Sequence, residues 1–435
     1  MMGYTKAFAD LVQYEGNNRI IFLNPNNNRW VRMKKSSYSS ISEDPKRKER
    51  LLQKFQQDYQ LFGAGSEECD ICSVYFAVTG KCNLQCDFCT MNSGPNVSME
   101  DDLTMDEIRN ILIPKLQEVS PRKIIITGGE PVIRKDIFEI LRIFADTFGK
   151  ERILLQTNGL LLTEDFIRDI KPYVIAVEIS IENIFADRTL LARMKRLFRC
   201  IRDNRLELSL SFVMDDDSDS YLWEAIDLCH EYEGAFTLRI VALVGRAADS
   251  EAYKNKHSDE MEILKKYYKY FSYLLEKEYL DEKFLSGYLN NLQPKKACGA
   301  FGKILAVHPD GTTFMCGNFK HSDYSMGNIR EKAMSDIIED LQEKLMSEKI
   351  KRRFLVDQNP NCKLCSERFF CPGPCAAEMT ESNSMNDEID NKCLSKRVLI
   401  HFNMFYYDNK KSDKDNFEAM VGFLKNIING KIQFT

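Results

Sequence analysis

Short apolar runs recur through the middle of the chain, separated by stretches with helical spacing. Several runs are apolar at consecutive positions, a pattern typical of parallel strands that are covered on both faces. Between them, Ile137, Leu141 and Phe144 fall on one face of a helix that Gly149 can end. The predicted strands are Ser73–Val78, Lys123–Thr127, Arg152–Thr157, Val174–Ser180, Leu208–Met214 and Thr237–Val244.

Six strand–helix repeats predict an α/β fold built on a partial (β/α)6 barrel of the TIM type. They occupy about 175 residues, whereas a closed eight-fold barrel needs about 250. In such folds the functional groups gather where the carboxyl ends of the strands meet. Here "KCNLQCDFC" follows strand one, Gly128–Pro131 ("GGEP") follows strand two, Asn158 follows strand three and Ser180 ends strand four. We expect all four motifs to share one rim.

The regions outside the barrel have different patterns. Near the N-terminus, two strands around an Asn/Pro-rich turn precede a helix that starts near Ser42 or Asp44, with Pro45 in its first turn. The predicted domains are 1–70, an N-terminal extension; 71–257, the barrel; 258–400, a bridging helix and a small cysteine-rich domain; and 401–435, a helical tail.

Composition narrows the class of protein. The 435 residues are 44% hydrophobic, and a net charge of −5 gives no reason to expect nucleic acid or an anionic membrane as partner. The first residues lack the basic and apolar regions of a signal peptide, and no stretch approaches a membrane span. We therefore expect a cytoplasmic protein, in which fourteen cysteines are metal ligands more often than disulfides.

The cysteines form two groups. Cys82, Cys86 and Cys89 are spaced C-x3-C-x2-C, one ligand short of the four that an iron–sulfur cluster normally takes. Cys200 and Cys229 lie in apolar contexts that favour plain burial, and the pair Cys69 and Cys72 has no assigned role. The second group lies in the last third of the chain, where C-x2-C pairs also suit zinc; its members are Cys298, Cys316, Cys362, Cys365, Cys371, Cys375 and Cys393.

The cysteine triplet after strand one and "GGEP" after strand two resemble the radical S-adenosylmethionine (SAM) superfamily. The resemblance implies that Cys82, Cys86 and Cys89 hold a [4Fe–4S] cluster whose fourth iron is chelated by SAM. An electron passed to the sulfonium would then give a 5′-deoxyadenosyl radical, while the protein supplies position and shielding.

The same resemblance implies the SAM contacts. Phe88 matches the position that packs near the adenine. The backbone of Gly128 and Gly129, with the Glu130 side chain, would hold the methionyl ammonium.

Other candidate SAM contacts lie on the next strands. Asn158 and Ser180 match positions that often contact the ribose or the carboxylate, although "TNG" is also an ordinary turn. Glu182 stands where an aspartate is expected. Arg239 would face the cofactor carboxylate or form a buried ion pair.

The later cysteines resemble the SPASM extension of radical SAM enzymes, which binds two auxiliary [4Fe–4S] clusters. The resemblance implies three clusters in all. The outer auxiliary cluster would be held by Cys362, Cys365, Cys371 and Cys393, and the inner one by Cys298, Cys316 and Cys375.

The inner auxiliary cluster would lack one thiolate. Some relatives have a cysteine at the place of Leu292, and leucine cannot bind iron. Either an iron stays open there, or Cys69, Cys72 or a carboxylate completes the site.

Most relatives with two auxiliary clusters act on peptides, which favours a peptide maturase that cross-links a ribosomally made peptide through a thioether or carbon–carbon bond. The alternative enzyme is an anaerobic sulfatase-maturating enzyme that makes formylglycine. A more remote alternative is a non-catalytic iron–sulfur or zinc-binding protein. Expected partners are a precursor peptide or protein and a reductant such as ferredoxin or flavodoxin, with a monomeric enzyme. No residue spacing selects a catalytic residue.

The N-terminal extension is compatible with a degenerate winged-helix element, which in peptide-modifying relatives binds a leader peptide by strand addition. A structural cap over the barrel is the other interpretation.

Overall fold

The N-terminal region is a three-stranded antiparallel sheet followed by two helices. The computed structural model describes residues 11–64, 70–214, 219–256, 259–285, 287–381 and 392–434. Strands pair in the order β1 (Val12–Gly16), β2 (Arg19–Asn24), β3 (Arg29–Lys34), and α1 (Lys35–Ser42) and α2 (Pro45–Tyr59) follow. The sequence predicts only β2 and β3. The sequence does not predict β1, because Tyr14 is the one buried side chain in this strand and a single residue does not form an apolar pattern.

Both faces of this sheet are covered. On one face, Leu52 and Phe55 of α2 pack against Ile20 and Phe22 of β2. The helix begins as predicted, since the Asp44 carboxylate accepts hydrogen bonds from the first backbone N–H groups and Pro45 occupies the first turn. The N-terminal region therefore forms a folded helix-on-sheet unit.

The other face of the sheet docks on the C-terminal part of the chain. Tyr14 and Trp30 contact the Phe370 ring with centroids 6.0 and 5.5 Å away. Nη1 of Arg32 donates a hydrogen bond to the Asn403 carbonyl at 2.6 Å. The unit thus rests beside the cysteine-rich segment.

Six parallel strands make the barrel wall, as the sequence predicts. Each pairs with the next in chain order, and helices cross over between them. A π-helical turn, Ile108–Leu112, separates the first two helices. The strands are β4 (Ser73–Ala77), β5 (Lys123–Thr127), β6 (Ile153–Thr157), β7 (Ala176–Ser180), β8 (Glu207–Met214) and β9 (Ala235–Ile240), and the helices are α3 (Met105–Glu107), α4 (Ile113–Val119), α5 (Ile137–Phe148), α6 (Glu164–Ile170), α7 (Arg188–Asp203) and α8 (Leu222–Glu231).

Alternation along the strands separates two apolar layers. In β5, Ile124 and Ile126 belong to the main core beneath the helices, whereas Ile125 joins a separate small cluster with Leu154 and Ala176. Because successive strand side chains point to opposite faces, this small cluster lies inside the barrel. It fills the amino end of the barrel and leaves the carboxyl end open.

A second segment extends the barrel sheet. Helices α9 (Arg246–Asp249), α10 (Glu251–Lys256), α11 (Glu260–Lys277) and α12 (Glu282–Leu285) lead to strands β10 (Ile304–Val307), β11 (Thr312–Phe314) and β12 (Ser325–Asn328). A turn at "PDG" (Pro309–Gly311) joins β10 to β11. Strand β10 pairs in parallel with the free edge of β4, giving nine strands among the described residues in the order β12-β11-β10-β4-β5-β6-β7-β8-β9.

The remaining helices close the C-terminal part. They are α13 (Met334–Met346), α14 (Glu348–Phe354), α15 (Ala376–Glu381), α16 (Cys393–Phe405) and α17 (Asp413–Ile428). Helix α16 runs across the predicted boundary at residue 400, so the tail is continuous with the cysteine-rich region. Among the described residues, no helix combines the length and apolar character that a membrane crossing needs.

Candidate active site

A cavity of about 610 Å³ opens at the carboxyl ends of the barrel strands. Its wall is built by the loop after β4, the ends of β5 to β9, and the hairpin β10–β11. The four polar motifs of the sequence therefore do meet at one rim. The sequence-predicted site residues on this wall are Cys82, Cys86, Phe88, Cys89, Gly128, Gly129, Asn158, Ser180 and Cys316.

The loop that carries the first three cysteines is folded back on itself. The Cys82 backbone N–H donates to the Gly94 carbonyl at 3.1 Å, and the Cys89 N–H donates to the Cys86 carbonyl at 3.2 Å. Side-chain amides of Asn158 and Asn183 approach the sulfurs of Cys82 and Cys86, at 3.8 and 3.7 Å.

Burial controls the protonation of these thiols. It raises the pKa of Cys82, and it raises that of Cys86 to about 11. Burial therefore favours the protonated form of both thiols, and a bound metal would favour the thiolate.

Two glycines let the loop after β5 approach the cysteine loop. The N–H groups of Gly129 and Glu130 donate to the carbonyls of Thr79 and Lys81 at 2.8 and 2.9 Å. A Cβ on Gly129 would lie 2.2 Å from the Lys81 oxygen, so only glycine fits.

The carboxylate of Glu130 is fully buried and lies outside the cavity wall. It accepts hydrogen bonds from the Thr157 hydroxyl and the Asn158 N–H, both at 2.8 Å, and from the Val132 N–H at 3.1 Å. Burial raises the pKa of Glu130, and these donors oppose the shift. Its direct contact with a cofactor ammonium stays a prediction, and the structure gives it a second task, which is to tie the loops after β5 and β6 together.

The later cysteines fall into two neighbourhoods. Cys316 lies near Cys298 and Cys375, so that a thiolate at one of these positions would interact with a thiolate at another. Cys393 interacts in the same way with Cys365 and Cys371. Burial raises the pKa of Cys375 and of Cys393 to about 12.

These cysteine groups are spread more widely than the ligands of a single ion. Among the described residues, no three His, Cys, Asp or Glu side chains converge closely enough to share one metal ion. A cubane cluster makes a smaller demand, because each thiolate binds a different iron atom.

Family models match two regions of the chain. Residues 76–242 match the radical SAM superfamily, and residues 298–367 match SPASM, an iron–sulfur cluster-binding domain. The chain belongs to the radical SAM superfamily and carries a SPASM domain. The first match begins near the end of β4 and includes β5 to β9. The second begins at Cys298 and includes β10 to β12.

Curated relatives share shorter stretches with this radical SAM–SPASM chain. A GTP 3′,8-cyclase of Peptoclostridium acidaminophilum is 40% identical over 96 residues, which are 22% of this chain and 29% of the relative. A GTP 3′,8-cyclase of Clostridium perfringens is 26% identical over 200 residues, 44% of this chain and 61% of that protein. The chain thus spans less than two thirds of these relatives.

Solved structures share the fold over most of the chain. Native anSMEcpe with bound AdoMet has a TM-score of 0.55 at 17% identity, covering 83% of this chain and 100% of that one. Streptococcus suis SuiB bound to S-adenosylmethionine has a TM-score of 0.53 at 15% identity, with 86% and 96% covered.

A polar layer, of which the sequence indicated only Arg239, forms the floor of the radical SAM cavity. Glu178 accepts hydrogen bonds from Gln156 at 3.0 Å and from Arg239 at 2.9 Å, and Arg239 also donates to the Ser211 hydroxyl at 2.8 Å. Arg239 therefore forms an ion pair, but not the buried one that was expected, because its side chain is 48% exposed. Its contact with a cofactor carboxylate stays a prediction. The signal was present, since Gln156 and Glu178 interrupt otherwise apolar strands.

The "TNG" segment is both a turn and part of the cavity. The Leu160 N–H donates to the Asn158 side-chain oxygen at 3.0 Å, while the amide of Asn158 donates to Asn83 in the cysteine loop at 2.8 Å. Glu182 also lines the cavity and accepts a hydrogen bond from the Val213 N–H at 2.5 Å.

A buried carboxylate supports the SPASM domain. Glu367 accepts hydrogen bonds from the His401 ring at 2.9 Å and from Arg397 at 3.2 Å. Burial would raise the pKa of Glu367, but hydrogen bonds from His401 and Ser366 and the charge of Arg397 lower it to about 2. These bonds hold α16, which carries Cys393, beside the Cys365 turn.

Four cysteines belong to neither proposed group of cluster ligands. Cys200 and Cys229 are buried, as expected. The Cys72 sulfur contacts Asp70 and Arg122 at the surface, and Cys69 lies outside the described residues.

Proposed function

We propose that this chain is a radical SAM peptide maturase that oxidatively cross-links a ribosomally synthesised peptide through a thioether or carbon–carbon bond. One observation carries the proposal: Cys86 and Cys316, from the two cysteine groups, line the same cavity. A substrate side chain in that cavity would lie between the SAM-binding site and the inner auxiliary site. A similar solved structure, native anSMEcpe with bound AdoMet and Cp18Cys peptide, contains a peptide and so supports this substrate class.

The residues of the cavity suit a SAM-binding cluster. Cys82, Cys86 and Cys89 supply three thiols on one wall, which leaves one iron of a cubane free for SAM. When bound there, SAM and its cluster supply a radical able to take hydrogen from an unactivated carbon.

The chain's own groups would then hold SAM in place. Gly128 and Gly129 present backbone without side chains, and Asn158 and Ser180 present polar groups. Phe88 supplies an aromatic face for the adenine.

Two auxiliary clusters fit the later cysteines. The inner site would be held by Cys298, Cys316 and Cys375, of which Cys316 lines the cavity. The outer site would be held by Cys362, Cys365, Cys371 and Cys393, and of these Cys393 lies near Cys365 and Cys371. Clusters held by these cysteines would supply electron-transfer chemistry, and a reductant such as ferredoxin or flavodoxin would supply the electron for SAM cleavage.

The N-terminal sheet supplies a docking edge for the peptide in this proposal. Among the described strands, β3 pairs only with β2, so its other edge can accept an added strand. A cavity of about 390 Å³ lies between the start of β3 and the end of α2, lined by Arg29, Trp30 and Tyr59 among others.

Formylglycine formation on a sulfatase is the second candidate. A similar solved structure, native anSMEcpe with bound AdoMet and Cp18Cys peptide, contains a peptide whose name includes cysteine, the residue that this reaction would oxidise. Both reactions begin with hydrogen removal from a side chain, so the cavity alone does not separate them. Their products differ in composition.

Anaerobic incubation tests the two candidates. The reconstituted enzyme, SAM and dithionite are mixed with the peptide encoded beside this gene, and separately with a cysteine-containing sulfatase peptide. Loss of a pair of hydrogen atoms with sulfur retained supports cross-linking. Loss of two hydrogen atoms together with exchange of sulfur for oxygen in the sulfatase peptide supports the second candidate. Cleavage of SAM with neither peptide changed would contradict both.

A further inference from the structure

The turn after β9 is fitted against the loop that carries Cys82, Cys86 and Cys89. The backbone N–H of Arg246 donates to the Cys89 carbonyl at 3.1 Å. Its guanidinium donates through Nη2 to the Ser93 carbonyl at 2.6 Å and through Nη1 to the Cys86 carbonyl. One residue thus contacts three carbonyls in separate parts of the cysteine loop.

The preceding glycine makes this approach possible. Gly245 has φ +61°, and a Cβ there would lie 2.4 Å from the Thr90 oxygen and 2.6 Å from the Cys89 oxygen. The two backbones are therefore in direct contact, with room for no side chain.

The other end of the cysteine loop is fixed independently. The Cys82 N–H bonds to the Gly94 carbonyl, and a β-bridge joins Lys81 to Gly94. This closure holds the base of the loop next to β4. Arg246 joins the part farther from the base, where Cys86 and Cys89 lie, to Ser93 beside the base.

Arginine suits this task because its planar fork directs several N–H donors at fixed angles. Two acceptors held by one rigid group cannot move independently. The ammonium of lysine is a single point with rotatable donors and imposes no such geometry.

We propose that Arg246 is a positioning residue that sets the orientation of the Cys86–Cys89 turn, and with it the SAM-binding cluster. The inference rests on the proposed function, in which these cysteines hold that cluster. Arg246 acts through the loop backbone, since its bonds go to carbonyl oxygens. Residues 239–242, a few positions before it, line the cavity, so the substrate wall and the cluster loop share one short segment.

The test compares Arg246→Lys and Arg246→Met with the reconstituted wild-type enzyme. Iron content, electron paramagnetic resonance of the reduced protein with and without SAM, and the KM and kcat of SAM cleavage are measured. Both variants should alter the signal that responds to SAM and raise the KM for SAM about tenfold or more, the effect of losing a charge-assisted hydrogen bond. The signals of the other clusters should be unchanged.

Arg188→Met is the matched control, because Arg188 is an exposed barrel arginine paired with Glu224. It should match wild type in every measurement. Selective loss of the SAM-responsive signal in the Arg246 variants supports the proposal.

Three results would overturn it. They are a wild-type spectrum and KM in Arg246→Met, full rescue by lysine, and loss of all clusters together with a lower unfolding temperature. A wild-type enzyme that fails to cleave SAM would instead refute the proposed function, before any variant is compared.

Discussion

The buried carboxylate of Glu130 accepts a hydrogen bond from the Asn158 backbone N–H at 2.8 Å. This bond joins the loop after β5 to the loop after β6, and both loops reach the cavity through neighbouring residues. Glu130 thereby couples the "GGEP" segment to the "TNG" segment from behind the cavity wall.

Glu130→Gln should weaken SAM binding more than cluster assembly. All three groups around the carboxylate are hydrogen-bond donors, so the glutamine NH₂ would face another donor, at a cost of about 1 to 3 kcal/mol. SAM affinity by equilibrium dialysis and iron content check this, with Glu118→Gln, at an exposed position of α4, as control. Wild-type affinity at normal iron content would contradict it.

Cys86→Ala should abolish SAM cleavage while leaving the fold largely intact. Cys86 lies on a loop after β4 and belongs to none of the apolar clusters of the structure. Chromatographic detection of 5′-deoxyadenosine with dithionite as donor is the measurement, and Cys200→Ala is the control. If Cys86→Ala still makes 5′-deoxyadenosine, the triplet is wrongly assigned.

The effects of Arg239→Met and Glu178→Gln on the free energy of unfolding should not be additive. The pair is joined at 2.9 Å, but the Arg239 side chain is 48% exposed to the cavity. We therefore expect a coupling energy of only about 0.5 kcal/mol in a double-mutant cycle by urea unfolding. Strictly additive effects would mean that the two side chains do not form a stable pair in solution.

The Glu107–Arg330 pair should make the stability of the fold decrease as the pH falls in the acidic range. A hydrogen bond from Arg330, which follows β12, lowers the pKa of Glu107 to about 2. Because the pKa of Glu107 is lower in the folded state than in the unfolded state, where it is about 4.3, ionised Glu107 stabilises the folded protein at pH values above 4.3. This contribution to the free energy of unfolding is lost as the pH falls towards 2.

Unfolding temperatures between about pH 6 and 3 measure the effect. Glu107→Gln should be less stable than wild type at pH 6 and converge with it in acid. Glu343→Gln, on the exposed face of α13, is the control. A constant difference at every pH would show that the charge of Glu107 is not responsible.

The inner auxiliary cluster should have an open iron that binds a substrate thiol. Leu292, at the place where a fourth cysteine is found in some relatives, packs against an apolar cluster that includes Tyr14 and Phe370. A cysteine-containing peptide should change the electron paramagnetic resonance signal of that cluster, and the matching serine peptide should not. An unaltered signal with the cysteine peptide would exclude thiolate binding.

The sequence by itself determined the barrel and the motifs on its rim. Strand positions follow from consecutive apolar residues, and the "GGEP" glycines are required by a backbone contact that no side chain allows. Parallel strands bring their carboxyl ends to one edge, so the meeting of the cysteine loop with Asn158 and Ser180 could be predicted from order alone.

Only the tertiary structure decided how the regions combine. The pairing of β10 with β4, which brings Cys316 to the cavity, depends on two strands far apart in the chain. The docking of Tyr14 on Phe370 and the contact of Arg246 with Cys86 have the same origin. The spacing of residues within one segment does not predict such contacts, because they depend on whether two surfaces from distant parts of the chain are complementary in shape and polarity.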